Sequence, residues 1–391
     1  MRASALIACV ALVAGGAEAG EVGRFRPATP DYVVLKVPAS ASNDPIAQLE
    51  QQRSREPENE VLAAELAQLY LTRARTEREQ RYFARAEALV RPWASRDNAR
   101  AATLRVQADI LQNRHDFSSA VRLLDRAIAL DPRDAGARLM RASVKMVNGL
   151  ATEARADCAA VLAAGEPTAG TICLAQMLGA TGGLARADAL LKALVLRDQG
   201  SPAWPSRTAT SVRAWALWLL ADFADREGDS RTAERQLRAA LEAAPQNEGV
   251  RSALSDLLLG RGAYREALNI VDLPAPSIGL LARRARAQQL LRDASVEDTR
   301  AQIQDLVTLA SRRGDPPHLR EEALIALDVD HDAARALDLA KANFETQRET
   351  LDIRLLVRAA STCGDRATLR EVAKWIRETG YEDRQLPGAA T

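Results

Sequence analysis

A small residue returns along this chain at a nearly constant step. Ala86, Ala120, Ala154, Ala187, Ala233, Ala267, Ala301 and Ala336 follow one another at intervals of 34, 34, 33, 46, 34, 34 and 35 residues, and Leu369 extends the series after a further 33. A repeat at this period marks an array of supersecondary units, none of which can bury its apolar face alone. The clearest copy reads Ala108, Leu111, Phe117, Ala120, Leu124, Ala127 and Pro132. That pattern predicts two helices joined by a tight turn. Alanine sits where the helices approach closely, and larger residues such as Leu124, Leu191 and Leu237 reach toward the next unit. Gly149, Gly182, Gly228, Gly262 and Gly364 mark turns, where a positive φ is convenient. Pro132, Pro167 and Pro245 end second helices. An ordinary helix bundle has no need of so constant a step.

Composition fits an all-α chain. Apolar residues make up 47%, chiefly the helix formers Ala and Leu, and only 4% of residues are aromatic. Lys and Arg number 53 against 52 Asp and Glu, a net charge of +1 with no basic arm. Such a balance argues against a nucleic-acid partner.

The 34-residue step, the small helix-packing residues and the closing prolines resemble the tetratricopeptide repeat family over residues 58 to 380. The match is strongest at 101–134, 214–247 and 248–275 and weakest at 277–350. The resemblance implies an all-α, right-handed superhelical solenoid of about nine helical hairpins, whose first helices line a concave groove. The 46-residue step holds an insertion, 201–212, which contains Pro202, Trp204 and Pro205. It divides an N-terminal block, 58–200, from a C-terminal block, 213–380, with a tail at 381–391. In the family's groove frame, Trp215, Trp218, Asp222 and Asp225 fall on one stripe. Arg105, Asp109 and Gln112 correspond in an earlier unit, and Ser252 and Asp256 in the following one. Trp beside carboxylates suits a peptide or a basic segment. Equally, Trp215 and Trp218 can pack on the insertion. The Lys/Asn set with which some family members clamp a C-terminal carboxylate has no counterpart here.

The first residues read as an export signal. Arg2 precedes an apolar run from Ala3 to Val13, and Ala17 and Ala19 set a cleavage site before Gly20. Residues 1–19 are therefore expected to be removed on export to the periplasm, with no membrane span in the mature chain. An alternative makes Cys9 of Leu6-Ala8-Cys9, with Ile7 between, a lipidated anchor. Residues 20–57, with Pro27, Pro30, Pro38 and Pro45, read as an extended leader, in which 31–37 forms a strand or a disordered tail. Cys158 and Cys173 fall on neighbouring helices, either as a disulfide or as two buried small residues.

Nothing in the sequence assembles a reaction centre. His115, His318 and His331 have no zinc-ligand spacing. Asp328, Asp330 and Asp332 invite a calcium reading, but Ala333 and Leu339 stand where an EF-hand needs Gly and Glu. Gly179–Gly183 lacks the dinucleotide fingerprint. The expectation is a non-enzymatic exported scaffold, without cofactor or metal, that holds a protein or peptide in its groove. The alternative is a self-associating structural part of an envelope export or polysaccharide machine. A glycan-cleaving solenoid would need a carboxylate pair that cannot be assigned here.

Overall fold

The computed structural model describes residues 44–77, 81–198, 207–273, 276–312, 315 and 317–386. The export signal, Cys9, the strand at 31–37 and Trp204 lie outside them. By its internal contacts the chain divides after Gln48, and all the hairpins belong to the unit Leu49–Thr391. Helix α1 (Pro45–Arg55) starts inside the segment read as an extended leader.

Nine antiparallel helix pairs come after it among the described residues. They are α2 (Glu60–Glu77) with α3 (Arg81–Ala94), α4 (Ala101–Asn113) with α5 (Phe117–Leu130), and α6 (Ala135–Val147) with α7 (Arg155–Ala163). Next come α8 (Pro167–Ala180) with α9 (Leu184–Asp198), α10 (Arg207–Arg226) with α11 (Ser230–Ala243), and α12 (Glu248–Gly260) with α13 (Tyr264–Val271). The last are α14 (Ile278–Leu291) with α15 (Val296–Arg312), α16 (Leu319–Asp328) with α17 (Ala333–Phe344), and α18 (Thr350–Cys363) with α19 (Arg366–Thr379). Helix α10 already begins within the stretch read as the insertion.

The repeated alanines are the close-packing points. Ala86, Ala120, Ala154, Ala187, Ala233, Ala267 and Ala336 are all fully buried. Most occupy the fourth position of a second helix, where a larger side chain would force the pair apart. Ala301 is a correction: it is exposed. Helix α13 is only eight residues long, so the chain reaches α15 two residues early. The fourth position there is Thr299, which is buried and whose Oγ1 donates to Gln288 Oε1 at 2.8 Å.

Each hairpin whose turn is described contains one residue of positive φ. Five are the predicted Gly149, Gly182, Gly228, Gly262 and Gly364; the others are His115, Arg292 and His331, at φ 58°, 55° and 56°. In four turns an aspartate comes directly after it and caps the second helix. Asp116, Asp229, Asp332 and Asp365 each accept a backbone N–H from the first turn. The Asp365 carboxyl is held well below its usual range by hydrogen bonds from Lys341 and from the backbone and hydroxyl of Thr368.

Cys158 on α7 and Cys173 on α8 are joined by a disulfide, with Cα atoms 5.4 Å apart. Both belong to an apolar cluster with Ala142, Met146, Ala154 and Met177.

Two stability measurements test these turns and joints. Arg292→Gly should raise the unfolding free energy by about 1 kcal/mol in urea titration, because the left-handed region strains any residue with a Cβ. A fall would mean that the Arg292 side chain contributes more than the strain costs. Replacing Cys158 and Cys173 together by Ala should lower stability by about 3 kcal/mol, the chain-entropy value for a loop of this size. Unchanged denaturation would show that packing alone joins α7 to α8.

Candidate functional site

The first helices of successive hairpins face inward, and the array returns on itself. A chamber of about 680 Å³ lies at the centre, walled mainly by α10, α12, α14, α16 and α18. Trp218, Asp222 and Asp225 from α10 and Ser252 and Asp256 from α12 line it. Apolar side chains alternate with them, including Leu257, Ile278, Leu351 and Leu355.

One side of the chamber wall is completed by side chains far apart in sequence. Arg226, at the end of α10, is only 2% exposed. Its Nη2 donates to the Gly179 carbonyl at 2.7 Å and its Nε to the Glu382 carbonyl at 2.8 Å. Asp222 lies 3.4 Å from Nη1, and the Tyr381 ring centre lies 4.1 Å from the guanidinium carbon. Arg354 of α18 donates twice to Asp383, at 2.8 and 3.0 Å, and also to Asp225. Burial works against the charge of Arg354, but Asp383 and Asp225 outweigh it and push its pKa up. Thr350 Oγ1 donates to Asp222 at 2.7 Å and accepts from the Tyr381 hydroxyl at 2.9 Å. Burial pushes the Tyr381 pKa well up, so its hydroxyl stays a donor.

The start of α18 is fixed by its own chemistry. Glu349 and Asp352 form a reciprocal capping box. Arg320 of α16 clamps both, with 2.6 Å bonds to Glu349 and Asp352. Arg348 is thereby set against α6: its backbone N–H donates to the Val147 carbonyl at 2.7 Å.

The structure sorts the residues expected in the groove. Trp218, Asp222, Asp225 and Asp256 all reach the chamber. Trp215 does not line it; its ring packs between the apolar clusters of Met177 and Leu220. Asp256 is held by Arg283 at 2.6 Å. Arg105 pairs with Asp134 at 3.4 Å and Asp109 with Arg75 at 2.5 Å, both away from the chamber lining. Sequence reasoning missed Arg226, Arg354, Tyr381 and Asp383. Tyr381 and Asp383 are buried between exposed Glu382 and Arg384, but a run of three charges after one Tyr carries no hydropathy alternation that would have found them. The other acidic run is accounted for locally. Asp328 pairs with Arg286 and Arg358, Asp330 with Arg300 and Arg335, and Asp332 caps α17. Among the described residues no group of His, Cys, Asp or Glu is arranged to hold a metal, and no helix is long and apolar enough to cross a membrane.

No protein-family model matches the chain, and no curated protein matches it. Among solved structures, the human IFIT1 dimer with PPP-AAAA aligns over 85% of this chain and 77% of its own at 14% identity, with a TM-score of 0.50. A thermophilic TPR protein of Thermus thermophilus aligns over 52% of this chain and 97% of its own at 21% identity, with a TM-score of 0.37. The fold is a tetratricopeptide-type solenoid. In this solenoid the concave face is the inner wall of the chamber.

At one edge of the closure the His115 and His318 rings meet edge to face, with centres 6.4 Å apart. Burial pushes the His115 pKa below 6.5; Glu321 opposes this, while Arg320 and His318 add to it. A base whose folded pKa is depressed gives the unfolded chain the higher proton affinity. Its contribution to stability is present above the unfolded value near 6.5 and is lost as pH falls below it. Denaturation at about pH 7.5 and about pH 5.5 should therefore show a loss that His115→Asn, which tolerates positive φ, reduces. An equal loss in the variant would assign the effect to other groups.

Proposed function

We propose that this protein is a non-enzymatic interaction scaffold that holds a short segment of a partner protein inside the closed turn of its solenoid. The chamber carries this reading. Its volume, about 680 Å³, lies within the roughly 300–1,000 Å³ range of ligand sites. That suits a few residues of extended chain rather than a folded domain. The wall mixes apolar surface around Trp218 with fixed charges, as recognition of a peptide requires.

Most of the chamber's cations already hold a carboxylate, while Arg348 donates to the Phe344 carbonyl and lies over the Phe344 and Trp375 rings. Arg226, Arg283, Arg286, Arg320, Arg354 and Arg358 each hold a carboxylate of this chain. A nucleic acid would have to displace those carboxylates, so the reading has no nucleic-acid partner, although the IFIT1 dimer was solved with PPP-AAAA. The same pairing engages Asp222, Asp225, Asp256 and Glu349, which supports a binding rather than a catalytic role. Export to the periplasm is part of the proposal. It is supported by the pattern of residues 1–19 and by the Cys158–Cys173 disulfide, which persists in an oxidising compartment.

Panning a displayed peptide library against the full chain tests the proposal. Selected peptides should bind the wild type and lose at least tenfold in affinity to Ser252→Trp, which fills the chamber, with its melting unchanged. Peptides that bind both proteins equally, or a library that yields none, would remove the chamber as the site.

A further inference from the structure

The closure lacks the shared apolar cluster that accompanies polar contacts in the stacking elsewhere. The cluster that joins α16–α19 takes in Tyr381 and Leu386 but no residue of α6–α10. The clusters built around Cys173 and Leu220 contain no residue beyond Phe223. Hydrogen bonds and ion pairs, with the ring of Tyr381 over Arg226, make the junction between the two sides. Three backbone amides donate across it: Leu184 to Glu382 Oε1 at 3.0 Å, Arg348 to the Val147 carbonyl, and Arg384 to the Arg226 carbonyl at 2.8 Å. At Gly182 and Gly380 the two backbones touch; a Cβ on Gly380 would lie 3.3 Å from the Gly182 Cα.

Most charges at this seam keep a partner if it parts. Arg354 retains its two bonds to Asp383, which lies on its own side. Asp222 retains Arg226, one helical turn away on α10. Glu227, paired with Arg384 at 2.9 Å, and Asp225 are the exceptions, and of the two Asp225 lines the chamber. The Asp225 carboxylate is held by Arg354 and Gln385, and both belong to the opposite side.

We propose that this seam is a clasp that parts with both sides folded, and that the segment it admits presents a cation to Asp225. The proposal deepens the reading of the chamber as a binding site and rests on it for what enters. In the closed state the guanidinium of Arg354 occupies the place of that cation. An arginine or lysine in the partner segment replaces it, and apolar neighbours meet Trp218 and Leu351. Neighbouring hairpins need no single hinge, because small rotations add along a solenoid.

Hydrogen exchange on the full chain tests the clasp without any ligand, so a failed peptide selection leaves this measurement standing. The amides of Leu184, Arg348 and Arg384 should exchange together and at least tenfold faster than those of Ala233 and Ala267, which lie inside hairpins. The Asp365 amide, bonded to Ala360 within the last hairpin, should remain as protected as Ala233. Arg354→Gln should speed the three seam amides a further tenfold; if that variant does not fold, Asp225→Asn serves from the other side. Exchange of the seam amides at the rate of Ala267 would overturn the clasp, and joint exchange with Asp365 would show fraying of the last hairpin instead. Millimolar acetyl-Leu-Arg-Leu-amide should speed the seam amides, and its citrulline analogue should not. Equal effects, or none from either, would overturn the cation.

Discussion

A solenoid of this kind stays an open spiral unless something fastens its end, and here Arg226 provides the fastening. A guanidinium taken out of water must find acceptors or its desolvation is not offset. Asp222 offers only a 3.4 Å contact, so the remaining solvation comes from the Gly179 carbonyl, the Glu382 carbonyl and the face of Tyr381. Two of those groups belong to the last residues described. The buried cation and the returning tail therefore require each other. Gly179 makes the meeting sterically feasible, since a Cβ there would lie 2.6 Å from the Phe223 ring. With the tail in place, α18 faces α10 and a concave wall becomes a chamber.

The local half of this arrangement was legible in the sequence. The 34-residue step located the hairpins because each anchor is a contact within a single helix pair. It failed at Ala301 because the shortened α13 changed the spacing of one unit, a change for which Pro274 and Pro276 were the sequence signal. The stripe on α10 was also readable, since the offsets among Trp218, Asp222 and Asp225 are a property of one helix. What these side chains touch was not. Arg354 and Thr350 lie 129 and 128 positions beyond their α10 partners. Their meeting depends on rotations summed over several hairpins. His115 and His331 held a quieter clue. Each stands in the left-handed position where five other turns use glycine, and His115 meets His318 across the closure.

Along the array, hairpin is joined to hairpin by apolar clusters rich in leucine and alanine, supplemented by ion pairs such as Arg283–Asp256 and by the Cys158–Cys173 disulfide. The closure is joined by charge and hydrogen bond, which is directional and demands a particular partner. The two kinds of contact divide the work. The apolar clusters on the two sides of the seam share no residue, so the proposed parting would leave each of them packed. Polar closure fixes one register between α10 and α18, because a displaced register would take Arg354 from Asp225 and Thr350 from Asp222.

The energetics of exchange come from that division. A well-made buried ion pair is worth little more than the desolvation it required, but removing one partner costs about 3–5 kcal/mol. The closed state is thus protected against loss of a contact and poorly protected against replacement of one contact by an equivalent. Tethering adds to the protection, because a segment of the same chain acts at an effective concentration of about millimolar. A free ion or a single arginine cannot compete with Arg354 on those terms. A segment that answers Asp225 and also covers the apolar wall around Trp218 can, since the second contact gains burial that the closed chain leaves unused. In the proposed binding, selectivity resides in the requirement for both, and the intramolecular pair sets the threshold a partner would have to exceed.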